Sequence, residues 1–238
     1  MSRKNTFLTA EWNNLLMLNY AVDASLLEPF VPAGAELDLF EGRTYLSLVG
    51  FEFNRSRLFG FAVPFHQQFE EVNLRFYVRR SSKRGVVFIR ELVPKYAVAF
   101  IARFAFHENY SCVPMSHTIE TRAHGAVDKA EYAWRSGPDR CMIRIETEGP
   151  SFLPPEGSAS QFITEHYWGY AAQPGGGCLE YEVQHSPWRV WNAKRAAFSG
   201  NAAGLYGTAI AQALAHDPDS AFLAIGSPVT VFQGTKIG

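Results

Sequence analysis

Polar side chains recur at every second position over one stretch of this chain. From Phe69 to Arg80 it reads FEEVNLRFYVRR, with Glu71, Asn73, Arg75 and Tyr77 on one parity and Val72, Leu74, Phe76 and Val78 on the other. Successive side chains of a strand point to opposite faces, so the pattern predicts a strand with one polar face and one packing face. A turn over Ser81–Gly85 leads into a second strand, Val86–Val93. Strict alternation there puts Val86, Phe88 and Arg90 on one face and Val87, Ile89 and Glu91 on the other. One of those two charges must then point into the fold or an interface, where an unpaired charge costs several kcal/mol. A face carrying a carboxylate, an amide, a guanidinium and a phenol is either the solvent side of a sheet or the wall of a polar pocket.

The same rules place the remaining elements. Trp12–Val22 and Thr44–Phe53 read as strands, with Glu36–Phe40 joined to the latter through the turn Glu41-Gly42-Arg43. Asp23 begins a short helix that Pro32 halts. Pro94 begins an apolar helix over Lys95–Phe106. Ser116–Arg122, Lys129–Arg135 and Cys141–Glu146 form a predicted meander. Ser158–Thr164 reads as a short helix, Glu165–Tyr170 and Cys178–Val190 as strands paired across Gln173–Gly177, Ala202–His216 as an amphipathic helix and Ala221–Phe232 as the last strand. Roughly ten strands, with a helix between few of them, point to antiparallel sheet rather than parallel βαβ units. The predicted class is α+β and mostly β, a barrel or sandwich with a few peripheral helices. With no linker or repeat, residues 1–238 read as one domain.

Composition narrows the function. Apolar residues make up 47% of the 238 positions and charged residues only 19%. That balance supplies a sizeable core and predicts a homo-oligomer, because much surface must be covered. A net charge of −1 with no basic block argues against nucleic acid as a partner. No apolar run approaches the roughly 20 residues a spanning helix needs, and none resembles a signal peptide, so no membrane contact is expected. Cys112, Cys141 and Cys178 are scattered and odd in number, as free thiols in the cytoplasm would be. There is no HExxH, cysteine cluster, GxSxG or Walker pattern, and no metal or cofactor is expected; His117 and His124 make a poor ligand pair.

Candidate chemistry falls in two further places. His166, Trp168 and Tyr170 share one predicted face, as do Tyr181, Val183 and His185 on the partner strand. Such a patch is an aromatic core layer, or a pocket in which His166 or His185 moves a proton. Lys95 follows Arg90-Glu91-Leu92-Val93-Pro94 and sits at the predicted start of a helix, whose dipole disfavours a charged amine.

Segments such as FEEVNLRFYVRR, VVFIRELVPKYAVAFIARFAFHENYSCVPM, FITEHYWGYA, LEYEVQHSPWRVW and FLAIGSPVTVF resemble the YqjF-like bacterial family of uncharacterised proteins. That family is placed in the acetoacetate decarboxylase-like superfamily. The resemblance implies a distorted antiparallel β-barrel or cone with a central cavity and helices outside. The decarboxylases of the superfamily form a Schiff base on a lysine that follows an Arg-Glu-x-x-x-x-Pro pattern. Here the pattern is shorter, and Tyr96 stands where a second cation would lie.

Two functional expectations follow. One is a cavity that binds a small, anionic, partly apolar molecule, with Arg75 and Arg90 holding the anion, Asn73 and Tyr77 beside them, and Phe88, Trp168, Tyr181, His166 and His185 in the wall. The other is a decarboxylase-like Schiff-base enzyme with Lys95 as nucleophile and Glu71 or Glu91 as acid–base partner. A structural or interaction protein whose polar faces are only surface is a third.

Overall fold

The computed structural model describes residues 5–62, 64, 66–99, 108–122 and 125–237. Its strands are β1 Thr6–Val22, β2 Glu36–Leu37, β3 Thr44–Leu58, β4 Phe61–Ala62, β5 Phe69–Arg80, β6 Lys83–Val93, β7 Tyr110–Cys112 and β8 Met115–Thr121. They continue with β9 Val127–Ser136, β10 Asp139–Phe152, β11 Trp168–Ala172, β12 Cys178–His185, β13 Val190–Ser199, β14 Ser220–Phe232 and β15 Thr235–Ile237. The labelled helices are short: α1 Ala24–Leu27, α2 Ala159–Thr164, α3 Ala203–Tyr206 and α4 Thr208–Leu214.

Strands β14, β1, β3, β5, β6, β11 and β12 lie side by side in that order, and β12 pairs back with β14 to close a ring. The contact of β11 with β6 is parallel and the others in the ring are antiparallel. One edge of β14 serves two partners: Phe222–Ala224 pair with β13, and Val229–Val231 pair with β12. Between them Gly226 adopts a φ of 92°, open to glycine and strained for other residues. From β13 the sheet continues outward through β10 and β9 to β8.

Two apolar layers result. Val72, Leu74, Phe76 and Val78 of β5, with Leu16 and Leu18 of β1, pack outward against Tyr132, Trp134, Ile143 and Ile145 of the outer strands. The approach is close at Gly50, where an added Cβ would lie 2.7 Å from the Tyr132 ring and 2.8 Å from Ile143. A second layer inside the ring joins Leu15, Met17, Val49 and Phe51 to Phe162 and Ile163 of α2. Both faces of β5 are therefore buried, and its polar face lies in the ring's interior.

Several expected elements differ from those observed. The strand expected over Cys178–Val190 ends at His185, and Val190–Ser199 is a separate strand. Pro187 has no N–H for a ladder and divides the two. The helix expected over Ala202–His216 breaks at Gly207, which has a φ of 83°. The segment after Pro94 is helical over 96–99, and the rest of the helix expected there lies outside the described residues. His166 precedes β11 rather than lying within it. Ser158 caps α2 by accepting the Gln161 N–H at 3.2 Å.

Candidate functional site

A pocket of about 160 Å³ opens inside the ring, and each of the strands named in the ring contributes to its wall. From β5 come Glu71, Asn73 and Arg75, whose alternation delivers all three to one side. From β6 come Val86, Phe88 and Glu91.

The β6 set departs from strict alternation. Leu74 pairs with Arg90 and Arg75 pairs with Phe88, so Ile89 is an extra residue, a β-bulge. The bulge reverses the parity beyond it. Glu91 joins Phe88 at the pocket, while Arg90 leaves the pocket wall and donates to Ser111 Oγ at 3.1 Å. The expected grouping of Arg90 with Phe88 is thereby corrected.

Glu91 stands beside Asn73 on one flank and beside Tyr110 of β7 on the other. Tyr110 donates to Glu71 Oε2 at 3.2 Å, and Asn73 Nδ2 donates to Glu71 Oε1 at 3.0 Å. Glu108 completes the group, with the Tyr181 hydroxyl donating to it. Burial pushes Glu71 up to about 7, against the hydrogen bond from Asn73. It pushes Glu108 up to about 7 as well, against the Tyr181 hydroxyl. Glu91 is driven well above the usual carboxylate range by burial and by the charges of Glu108 and Glu71. Three buried carboxyl groups at one pocket wall resist ionising together, so they hold their protons to higher pH than carboxyls in water do.

Among the described residues, Arg75 is the Arg or Lys on this wall, only 7% exposed. Its guanidinium lies 3.8 Å from Met17 Sδ and 5.9 Å from the Tyr77 ring centroid. Its Nε has no hydrogen-bond partner, and no carboxylate lies within 4 Å of it among the described residues. Tyr77 does not reach the pocket. Its hydroxyl shares a 2.6 Å hydrogen bond with Ser47, and its ring packs 4.6 Å from that of His166.

His166, Trp168, Tyr181 and His185 all line the pocket. Gly169 makes this possible: a Cβ there would fall within the Tyr181 ring, against Cζ, Cε2 and Oη. His166 Nε2 lies 3.7 Å from Asp38 Oδ2 and 3.5 Å from an Arg84 nitrogen. Burial holds His166 down to about 4, so the ring is neutral at pH 7, and its Nδ1 has no partner. Burial works to raise Asp38, but hydrogen bonds from His166 and Arg84 outweigh it and leave the carboxyl below its ordinary range. Burial also lowers His185, which stacks on Trp188 at 4.1 Å.

Lys95 is half-buried and is not among the residues that line the pocket. Its charge is felt by Glu70, on the opposite face of β5 from Glu71. After Pro94 the chain presents Ala97 and Val98 to the pocket instead. Glu108, Tyr110 and Asp38 were missed from the sequence. Glu108 and Tyr110 sit in the HENY end of an apolar segment, and only the parallel pairing of β7 with β6 brings them to Glu91. No cluster of three metal-ligating side chains occurs among the described residues, and His124 lies outside them. His117 is held by Glu52 at 3.1 Å and Glu70 at 2.8 Å.

With this geometry in place, the relatives become informative. Residues 9–228 match the model of DUF2071, a family described as uncharacterized conserved protein. The chain belongs to the DUF2071 family. It is 28% identical over 185 residues to the uncharacterized protein YqjF of Bacillus subtilis (strain 168), covering 77% of this chain and 74% of that one. Among solved structures, an acetoacetate decarboxylase-like enzyme from Sphingomonas wittichii RW1 superposes with a TM-score of 0.68 at 12% identity, over 97% of this chain and 92% of that one. The enduracididine biosynthesis enzyme MppR, complexed with pyruvate, gives 0.68 at 12% identity, over 100% and 92% of the two chains. Acetoacetate decarboxylase from Legionella pneumophila gives 0.67 at 12% identity, over 97% and 87%. At such identity these similarities show the fold, that of the acetoacetate decarboxylase-like structures. Among the described residues of this DUF2071 chain, no helix is long and apolar enough to cross a membrane.

Proposed function

We propose that the DUF2071 pocket binds a small, partly apolar molecule through a carboxylate held by Arg75. The observation that carries this reading is a guanidinium buried in the pocket wall with an Nε that nothing satisfies. A buried unpaired cation is costly, and a planar carboxylate is the group that matches its fork of donors. Phe88, Trp168 and Trp188 supply the apolar wall for the rest of the ligand. The pyruvate in the MppR complex is a small carboxylate held in the same fold. A Schiff-base reaction would need an amine at the pocket, and Lys95 is not among the residues that line it.

Calorimetric titration with pyruvate, acetoacetate, butanoate and 3-methylbutanoate tests the reading. At least one should bind the wild-type chain, and R75M should weaken it by ~30-fold or more, as loss of a buried charge partner does. Absence of binding by all four, or equal binding by a folded R75M, would overturn it.

A further inference from the structure

Arg75 accounts for one end of a ligand and leaves the acidic end of the pocket unexplained. Among the described residues, the wall holds the carboxyl groups of Glu71, Glu91 and Glu108 against the guanidinium of Arg75. His166 and His185, which also face the pocket, are both held towards their neutral forms by burial. The Tyr110 and Tyr181 hydroxyls are already directed at carboxylates.

Two acceptor atoms in this corner have no partner. Asn73 Oδ1 has none, although Asn73 Nδ2 is engaged with Glu71, and Glu91 Oε2 has none. Both residues are only 2% exposed, and they stand opposite each other on neighbouring strands. Buried polar atoms are ordinarily satisfied, so an unmet amide oxygen, opposite a carboxyl that becomes a pure acceptor on losing its proton, suits a donor that arrives with positive charge. A neutral carbonyl would add a further acceptor. An amine supplies several N–H donors and, as an ammonium, the positive charge that an excess of carboxyl groups lacks.

We infer that the ligand carries an amine besides its carboxylate, with the ammonium taken by Asn73 Oδ1 and the Glu71, Glu91 and Glu108 carboxyls and the carboxylate taken by Arg75. The ligand class is therefore a small, partly apolar amino acid. This rests on the carboxylate reading above and adds the second recognition element. Binding has a proton balance. A glutamate that is neutral in the empty pocket ionises when the ammonium arrives, and its proton passes to the buffer. No bond to the ligand is made or broken.

Two matched pairs of probes test this: valine with 3-methylbutanoate, and 4-aminobutanoate with butanoate. They differ within each pair by the amine and between pairs by its distance from the carboxylate. Titration at pH about 6 in two buffers of different ionisation enthalpy should show release of about one proton per bound amino acid and close to none for the amine-free partner. One amino acid should bind ~10-fold or more tightly than its partner. E91Q, which resembles the protonated side chain in shape, should remove that advantage and reduce the proton release. E71Q provides a second variant should E91Q fold poorly.

Equal or weaker binding of both amino acids, or tighter binding without proton release, would overturn the inference. If the amine-free acids still bind through Arg75 in that case, the carboxylate reading survives alone. If neither kind of probe binds, both fail.

Discussion

Phe88 and Glu91, three positions apart on one strand, reach the same pocket because Ile89 is bulged between them. The bulge exchanges Arg90 for Glu91 at the wall. It thereby converts a face that alternation makes basic into the acidic corner of the pocket.

The close approach of Gly169 to Tyr181 leads to a first prediction. A Cβ at position 169 would collide with the ring, which is buried and donates its hydroxyl to Glu108. G169A should therefore cost about 1–3 kcal/mol of unfolding free energy, as overpacking of a filled site does. Chemical denaturation checks this. A stability within ~0.5 kcal/mol of wild type would show that the ring has room to retreat.

Glu71 yields a prediction about pH. Its carboxyl is raised from 4.5 to about 7, so the folded chain holds a proton in that window that the unfolded chain releases. Stability from this group is therefore present at low pH and declines as pH rises from about 4.5 to about 7. E71Q removes the titration, so its stability relative to wild type should rise across that window, by an amount on the order of 1–3 kcal/mol. Denaturation of both proteins at pH 5 and pH 8 measures the difference; a constant offset would mean that Glu71 ionises as freely as in water.

The two best-held histidines should titrate on opposite sides of an ordinary histidine. Hydrogen bonds donated to the Glu52 and Glu70 carboxylates raise His117 to about 10, whereas burial lowers His166 to about 4. The His117 contribution is complete below its unfolded value of 6.5 and fades as pH rises through about 10. That of His166 is present above 6.5 and lost as pH falls through about 4. His117 is partly solvent-exposed, so H117A should cost only about 1 kcal/mol at neutral pH. Side-chain NMR titration distinguishes the two rings, and a His117 midpoint near 6.5 would refute the ion-pair assignment.

Lys95 offers a chemical check. Incubation with pyruvate or acetoacetate followed by borohydride should leave the mass of the chain unchanged, since this amine is not at the pocket wall. A trapped adduct that disappears in K95A would restore the Schiff-base reading.

The alternation in FEEVNLRFYVRR by itself determined that Glu71, Asn73 and Arg75 share a face, because the period of a strand is a local property of the backbone. Composition and turn residues likewise determined the mostly β class. The motif segments placed the chain near YqjF and the acetoacetate decarboxylase-like fold. Tertiary structure alone decided that this face is an interior one, since the ring closes only where β12 returns to β14, far apart in sequence. It also decided the fate of the charges on β6, because an extra residue reverses parity and a one-residue shift exchanges the faces of a strand. The third carboxyl, Glu108, and the tyrosines beside it reach Glu71 and Glu91 from other elements. Such a cluster arises from pairing between strands, which no local pattern records.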